Sequence, residues 1–302
     1  MALIALAAIF AYQSAKSFGI RRRPAFVVGF TYASTPFMFD AYVTGYMPMF
    51  VGMAVLPKAL ASAHLAFEKP LGLRRLCKGM VWIALSASTI HLAVLTIATI
   101  AGYCVYRLAF TPAKIIRKLK TVTYIVAMGS GILLFHPAAA IVAYQTLFLP
   151  DTLNQLAAWS QTAKHTWVSG VAPRFSEALT LVGAPYNYSV GRDLHIGPLP
   201  VIYVAGRAAL TSLAFLAVIL TRGRERSLAV FLLTGFLIFA LLGKGSNEPF
   251  SLLHQAFQEL PGSSLFRNVR YFSIPASLML ALMVGLAANT KTFSPCRLNK
   301  LL

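Results

Sequence analysis

The basic residues of this 302-residue chain are sorted by position: they gather in alternate gaps between its apolar stretches. Gaps 19–24, 68–78, 107–120, 222–226 and 290–302 carry +3, +3, +5, +2 and +3, together +16 of the net +19. Gaps 37–46, 150–197 and 244–270 carry −1, 0 and +1, and the rest comes from Lys16, Lys58 and Arg207 inside apolar stretches. Lysine and arginine held back on the cytoplasmic side of a membrane produce this pattern. A nucleic-acid surface would need a soluble domain with its basic residues on one face. The chain offers no such domain, so no nucleic-acid partner is expected.

Composition points the same way. The chain is 58% hydrophobic and 12% charged, where soluble domains carry about a quarter of their residues charged. A crossing helix needs roughly 20 mostly apolar residues. Lipid leaves unpaired backbone groups unsatisfied, so the apolar stretches should be helices. They lack the strict alternation of an outer-membrane barrel. The fold class is therefore all-α, a polytopic transmembrane helix bundle of about nine spans, forming a single transmembrane domain over residues 1–302.

The spans are expected near 2–18, 24–38, 46–66, 121–148, 198–220, 227–243 and 270–289. Residues 79–106 are long enough for one more, but a single crossing would put the basic run 114–120 on the wrong side. Two short helices meeting near His91 restore agreement at every gap, at the cost of tilt or local thinning. The alternative is one long helix with one violation of the charge rule. This places the N-terminus outside and the C-terminus inside, with outer loops at 150–197 and 244–269. The first holds the aromatic anchors Trp159, Trp167, Tyr186 and Tyr188 and the sequon-like Asn187-Tyr188-Ser189. Residues 1–15 lack the basic start and cleavage site of a signal peptide and read as a span.

Cys77, Cys104 and Cys296 fall near the cytoplasmic face, where thiols stay reduced, so no disulfide is expected. No Cys or His pair has metal-ligand spacing, and no P-loop or dinucleotide fingerprint occurs, so no metal, no cofactor and no nucleotide-driven transport are expected. Gly102, Gly129 and Gly131 suit close helix contacts. His91 and His136 read as core histidines.

The most specific stretch is 243–272. Asn247 and Pro249 open a short amphipathic helix over 249–259, and Pro261-Gly262 stop it. Arg267 and Arg270 then enter the last span from the outer side, against the charge trend. Their planar guanidinium groups suit bidentate contact with phosphate; binding a membrane-lipid headgroup or pairing with Glu248 or Glu259 is the plainer alternative. Arg207, halfway along its span, must face the bundle interior or a watery cavity. It serves either a ligand phosphate or a structural hydrogen bond. Lys58 can reach the surface by snorkelling. Asp40 is the one early outer carboxylate, either a general base toward an acceptor hydroxyl or a loop or cap residue. Glu248 and Glu259 are alternative carboxylates. Asp193, beside Arg192 and His195, reads as a surface ion pair.

The pattern Leu260-Pro261-Gly262 … Phe266-Arg267-Asn268-x-Arg270-Tyr271-Phe272 resembles the end of the membrane core in GT-C-type glycosyltransferases. It is most similar to the arabinofuranosyltransferase-like group and related uncharacterised polytopic proteins. A second likeness lies in Ala25 … Gly29 … Tyr32-Ala33-Ser34-Thr35-Pro36 … Gly45 … Leu56-Pro57, and His136-Pro137 fits loosely. The resemblance implies a GT-C-like fold in a bacterial or archaeal inner membrane. It also implies sugar transfer at the outer face from a polyprenyl-phosphate donor to a glycan or lipid acceptor. Asp40 or Glu248 would act as catalytic carboxylate, and Arg267, Arg270 and Arg207 would bind substrate. Enzymes of this kind carry a carboxylate in the first outer loop. No acidic loop precedes Arg21, so against the resemblance the chain is expected to be either a piece lacking the N-terminal spans and their catalytic loop or a divergent relative that lost the chemistry. A non-catalytic multi-pass subunit and a secondary transporter are the alternative readings, although a transporter should show paired broken helices and an internal repeat.

Overall fold

A computed structural model describes residues 2–35, 38, 47–69, 72–110, 115–132, 178–179, 181, 199–245, 251–259 and 269–290. Among these the regular elements are all helical. They are α1 (Ala2–Ser17), α2 (Arg22–Ala33), α3 (Met47–Glu68), α4 (Leu73–Ser86), α5 (Ile90–Phe110), α6 (Ile115–Gly129), α7 (Leu199–Leu220), α8 (Gly223–Lys244), α9 (Ser251–Gln258) and α10 (Ser273–Asn289). A 3-10 turn, Val269–Phe272, leads into α10. Four stretches, α3, α5, Ile202–Leu220 of α7 and α8, are long and apolar enough to cross a membrane.

Helix α10 is apolar on every side, and each residue from Ser273 to Ala287 is buried. A helix with no polar face is either a core helix or a membrane span, and α2, α7 and α8 pack around this one. The outer surface inverts the soluble pattern. Phe26, Phe30, Val105, Phe110, Val126, Ile202 and Ile219 are all largely exposed. That much apolar surface facing outward fits lipid, not water. Buried centre, apolar exterior and four crossing-length helices together mark a membrane protein.

The stretch 79–106 is broken, as the charge argument requires. Helix α4 ends at Ser86 and α5 starts at Ile90. The Ser88 hydroxyl bonds the Pro48 carbonyl at the start of α3. Helix α4 thus reaches this turn antiparallel to α3 and α5 leaves it parallel to α3, so Arg107 meets Glu68 at 2.7 Å. The turn can approach α3 because Gly52 lacks a side chain: a Cβ there would lie 2.8 Å from the Ser86 carbonyl. The break centres on residues 87–89, just ahead of His91, whose ring lies 4.4 Å from that of Tyr271.

Several boundaries differ from expectation: α8 begins at Gly223, not 227, and α5 runs on to Phe110, not 106. Helix α2 stops at Ala33, not 38, because Pro36 disfavours helical backbone at Thr35; the Thr35 hydroxyl bonds back to Tyr32 instead. Helices α4 and α6 begin at 73 and 115, not 79 and 121. Their basic residues (Arg74, Arg75, Lys78; Arg117, Lys118, Lys120) are good helix formers whose apolar stems extend the helix while their heads reach water.

The described helix ends that flank the basic gaps meet at one end of the bundle. There the Arg21 N–H donates to Asn289 Oδ1 at 3.0 Å, Asn289 donates to Glu225 at 3.4 Å, Arg107 and Arg224 pair with Glu68, and Tyr124 donates to the Gly72 carbonyl at 2.7 Å. Ser34, Pro48, Ser88 and Tyr271 lie toward the opposite end. Of the expected tight glycines, Gly131 abuts Met80, Gly102 only grazes Phe231, and Gly129 faces open space.

Candidate functional site

Arg207 is the sequence-derived site residue whose surroundings are described. Helix α7 places Tyr203, Arg207 and Thr211 one turn apart on one face, a polar stripe on a helix that otherwise presents Ile202 and Ile219 outward. Arg207 is 2% exposed. Its guanidinium donates a long 3.5 Å bond to the Thr31 carbonyl, and Tyr203 donates to the Ser34 carbonyl at 3.1 Å. Thr211 donates to the Leu179 carbonyl at 3.3 Å. The stripe thus binds the last turn of α2, where the Tyr32–Pro36 motif begins, and both helices pack on α10.

Arg270 is the second residue of the 3-10 turn that feeds α10. Asp40, Glu248 and Arg267 lie outside the described residues, as do His136, Asp193, Cys296, the sequon and the four aromatic anchors. Glu259 is exposed and makes no ion pair among the described residues. Lys58 does not simply reach outward: its ammonium lies 5.5 Å from the Phe10 ring centre and 6.0 Å from that of Trp82. Cys77 is exposed and Cys104 buried, both as free thiols.

A second constellation, not singled out by the sequence reading, occupies the basic end. His64 and Glu68 sit one turn apart on α3; Tyr103 and Arg107 do the same on α5. Because the helices run parallel, the two pairs face each other. Arg107 Nη1 donates to Glu68 Oε1 at 2.7 Å and to the Tyr103 oxygen at 3.2 Å. The Tyr103 hydroxyl is hydrogen-bonded in turn to His64 Nδ1 at 2.6 Å. Arg224 of α8 closes on the same Glu68 oxygen. Phe67 stacks 5.2 Å from the Arg107 guanidinium, and Phe18 lies 4.3 Å from the His64 ring. A carboxylate held by two guanidinium groups is a fastener for three helices, poorly placed to take a proton. Its sequence signal is a pair of i,i+4 polar spacings, His64/Glu68 and Tyr103/Arg107.

No protein-family model matches the chain, and neither a curated protein nor a solved structure does. Fold and site define a helical membrane protein with one cation-rich end and a buried arginine toward the other.

Proposed function

We propose that the chain is a multi-pass protein of a bacterial or archaeal inner membrane, with its basic end in the cytoplasm. On this reading it handles a polyprenyl-phosphate-linked sugar at the outer end, as a GT-C-like glycosyltransferase or part of one. The helices α1 to α8 and α10 would be the nine crossing segments. The observation that carries the reading is Arg207. It joins α7 to the turn of α2 that opens the Tyr32–Pro36 motif, and both pack against α10, the helix that follows the Arg267/Arg270 motif. Arg207 thereby ties the first motif to α7, and the 3-10 turn of the second motif leads into α10, on which α2 and α7 both pack.

The chemistry would be displacement at the anomeric carbon. The acceptor oxygen forms a bond to that carbon as the carbon–oxygen bond to phosphate breaks. Asp40 or Glu248 takes the acceptor proton, and arginines stabilise the charge gathering on the leaving phosphate. The test is binding of polyprenyl phosphate to the full chain in nanodiscs, followed by sugar transfer from a polyprenyl-phosphate sugar. Arg207→Ala, Arg267→Ala and Arg270→Ala should each weaken binding; wild-type affinity in all three sinks the phosphate role. Binding without transfer supports the non-catalytic subunit instead.

A further inference from the structure

At the basic end, α3, α5, α6 and α8 enclose a cavity of about 620 Å³ whose wall includes Arg107, Arg117, Lys118, Arg224 and, as its one carboxylate among the described residues, Glu68. It continues into a second, largely apolar hollow of about 570 Å³ between α5 and α8. The two share Tyr106, Phe110, Gly223 and Ser227. We infer that this continuous cleft binds an anionic glycerophospholipid, its phosphate among the four cations and an acyl chain in the groove between α5 and α8.

Charge makes the first half of the case. Four cations face one carboxylate, and Glu68 is already shared between Arg107 and Arg224. Arg117 and Lys118 have no carboxylate partner among the described residues; Lys118 donates to the Leu108 carbonyl at 2.5 Å. Cations crowded in this way repel one another unless an anion joins them, and basic pockets between membrane helices take phosphate headgroups for that reason. Helix α8 begins at the cavity with no side-chain cap, so its positive N-terminal dipole adds to the field. The Ser227 hydroxyl, in the shared wall, is buried without a hydrogen-bond partner among the described residues.

Shape makes the second half. The groove opens sideways, past exposed Val105, Phe110 and Val230, toward the surface that faces lipid. Gly102 leaves its floor low: a Cβ there would still be 3.9 Å from Phe231. Tyr106, stacked on Phe231 at 4.8 Å, forms a flat aromatic wall where headgroup and chain regions meet. A free anion would use the cavity and ignore the groove. The inference stands apart from the proposed glycan chemistry, because the cleft lies at the other end of the bundle.

The test is native mass spectrometry of the delipidated full chain, titrated with phosphatidylglycerol, phosphatidylcholine, polyprenyl phosphate and inorganic phosphate. Phosphatidylglycerol should bind more tightly than phosphatidylcholine or inorganic phosphate. Arg117→Gln with Lys118→Gln should weaken it by about tenfold or more, and Gly102→Leu should weaken it by filling the groove. Arg22→Gln with Arg23→Gln, exposed at the same end but off the cleft, should leave it unchanged. Equal affinity for phosphatidylcholine, saturation by inorganic phosphate, loss of polyprenyl-phosphate binding instead of phosphatidylglycerol binding in the cleft variants, or equal loss in the Arg22/Arg23 variant would each overturn the inference. So would undiminished binding in both cleft variants. Retained monodispersity and unfolding temperature show that a weakened variant is still folded.

Discussion

The Tyr32 hydroxyl donates a 2.6 Å hydrogen bond to the Met53 carbonyl, the acceptor that Pro57 leaves without its helical partner. Pro57 sits inside α3 and has no N–H to offer the residue four positions earlier. In lipid such an orphan must be met by a neighbouring helix, and α2 supplies the hydroxyl. Tyr32→Phe should therefore destabilise the protein by about 1–3 kcal/mol, read by unfolding in detergent. Pro57→Ala restores the missing N–H, so the penalty of Tyr32→Phe should largely vanish in that background. An equal penalty in both backgrounds removes the explanation.

Glu68 gives the second prediction. Arg107 is almost fully buried beside it, while Arg224 is 67% exposed. Glu68→Gln removes the charge that faces Arg107 and should cost about 3 kcal/mol. Arg224→Gln removes a solvated partner and should cost under about 1 kcal/mol. Replacing Glu68 and Arg107 together by Leu and Met should recover most of the loss, because a buried pair stabilises little over a packed apolar pair. The three unfolding midpoints decide between a fastener and an incidental contact.

Gly52 yields a packing prediction. Its missing side chain admits the 86–88 turn, and a Cβ would press on the Ser86 carbonyl at 2.8 Å. Gly52→Ala should cost about 1–3 kcal/mol, whereas Gly129→Ala, with open space around it, should be neutral or slightly stabilising through helix propensity. Thermal unfolding of the two variants side by side measures the difference.

The charge pattern makes the bundle legible. Long-range bookkeeping of Lys and Arg places a helix break inside 79–106, where hydropathy alone shows one continuous apolar run. Helix starts are less legible. Arg74, Arg75, Arg117 and Lys118 count as gap when their charge is tallied and their aliphatic stems are ignored; all four are helical. Arg207 can be marked as buried from its place in an apolar run, but its contact with Thr31 depends on how α2 and α7 meet. The His64–Tyr103–Arg107–Glu68 chain stays hidden for the same cause. Each half is visible as a one-turn spacing, yet which helices run side by side is decided by packing across the whole bundle.

Cys77 tests the proposed orientation. It is exposed on α4 near the basic end, and Cys104 is buried. In a Cys296→Ser chain, a membrane-impermeant maleimide should leave intact cells unlabelled and modify Cys77 after permeabilisation. Leu252→Cys, at an exposed position of α9 beyond the other end, should react in intact cells. The reverse pattern at the two positions inverts the topology and moves the Arg207 half to the cytoplasm.

Arg207→Met separates a structural arginine from a ligand-binding one. Methionine keeps an apolar stem of similar reach and removes the charge and its donors. If Arg207 serves mainly to hold the Thr31 carbonyl, the variant loses about 1 kcal/mol of stability and binds lipid as before. A buried cation kept for a ligand behaves oppositely, since exchanging it for a packed apolar side chain is often neutral or stabilising. The 3.5 Å separation from Thr31 is at the long limit for a hydrogen bond, so that bond contributes little to the fold; the proposed phosphate role is the second case. Arg207→Met should therefore unfold at or above the wild-type temperature while polyprenyl-phosphate affinity falls by about tenfold or more, in line with the loss of a charge-assisted contact. Lower stability with unchanged affinity would assign the residue to the frame of the bundle.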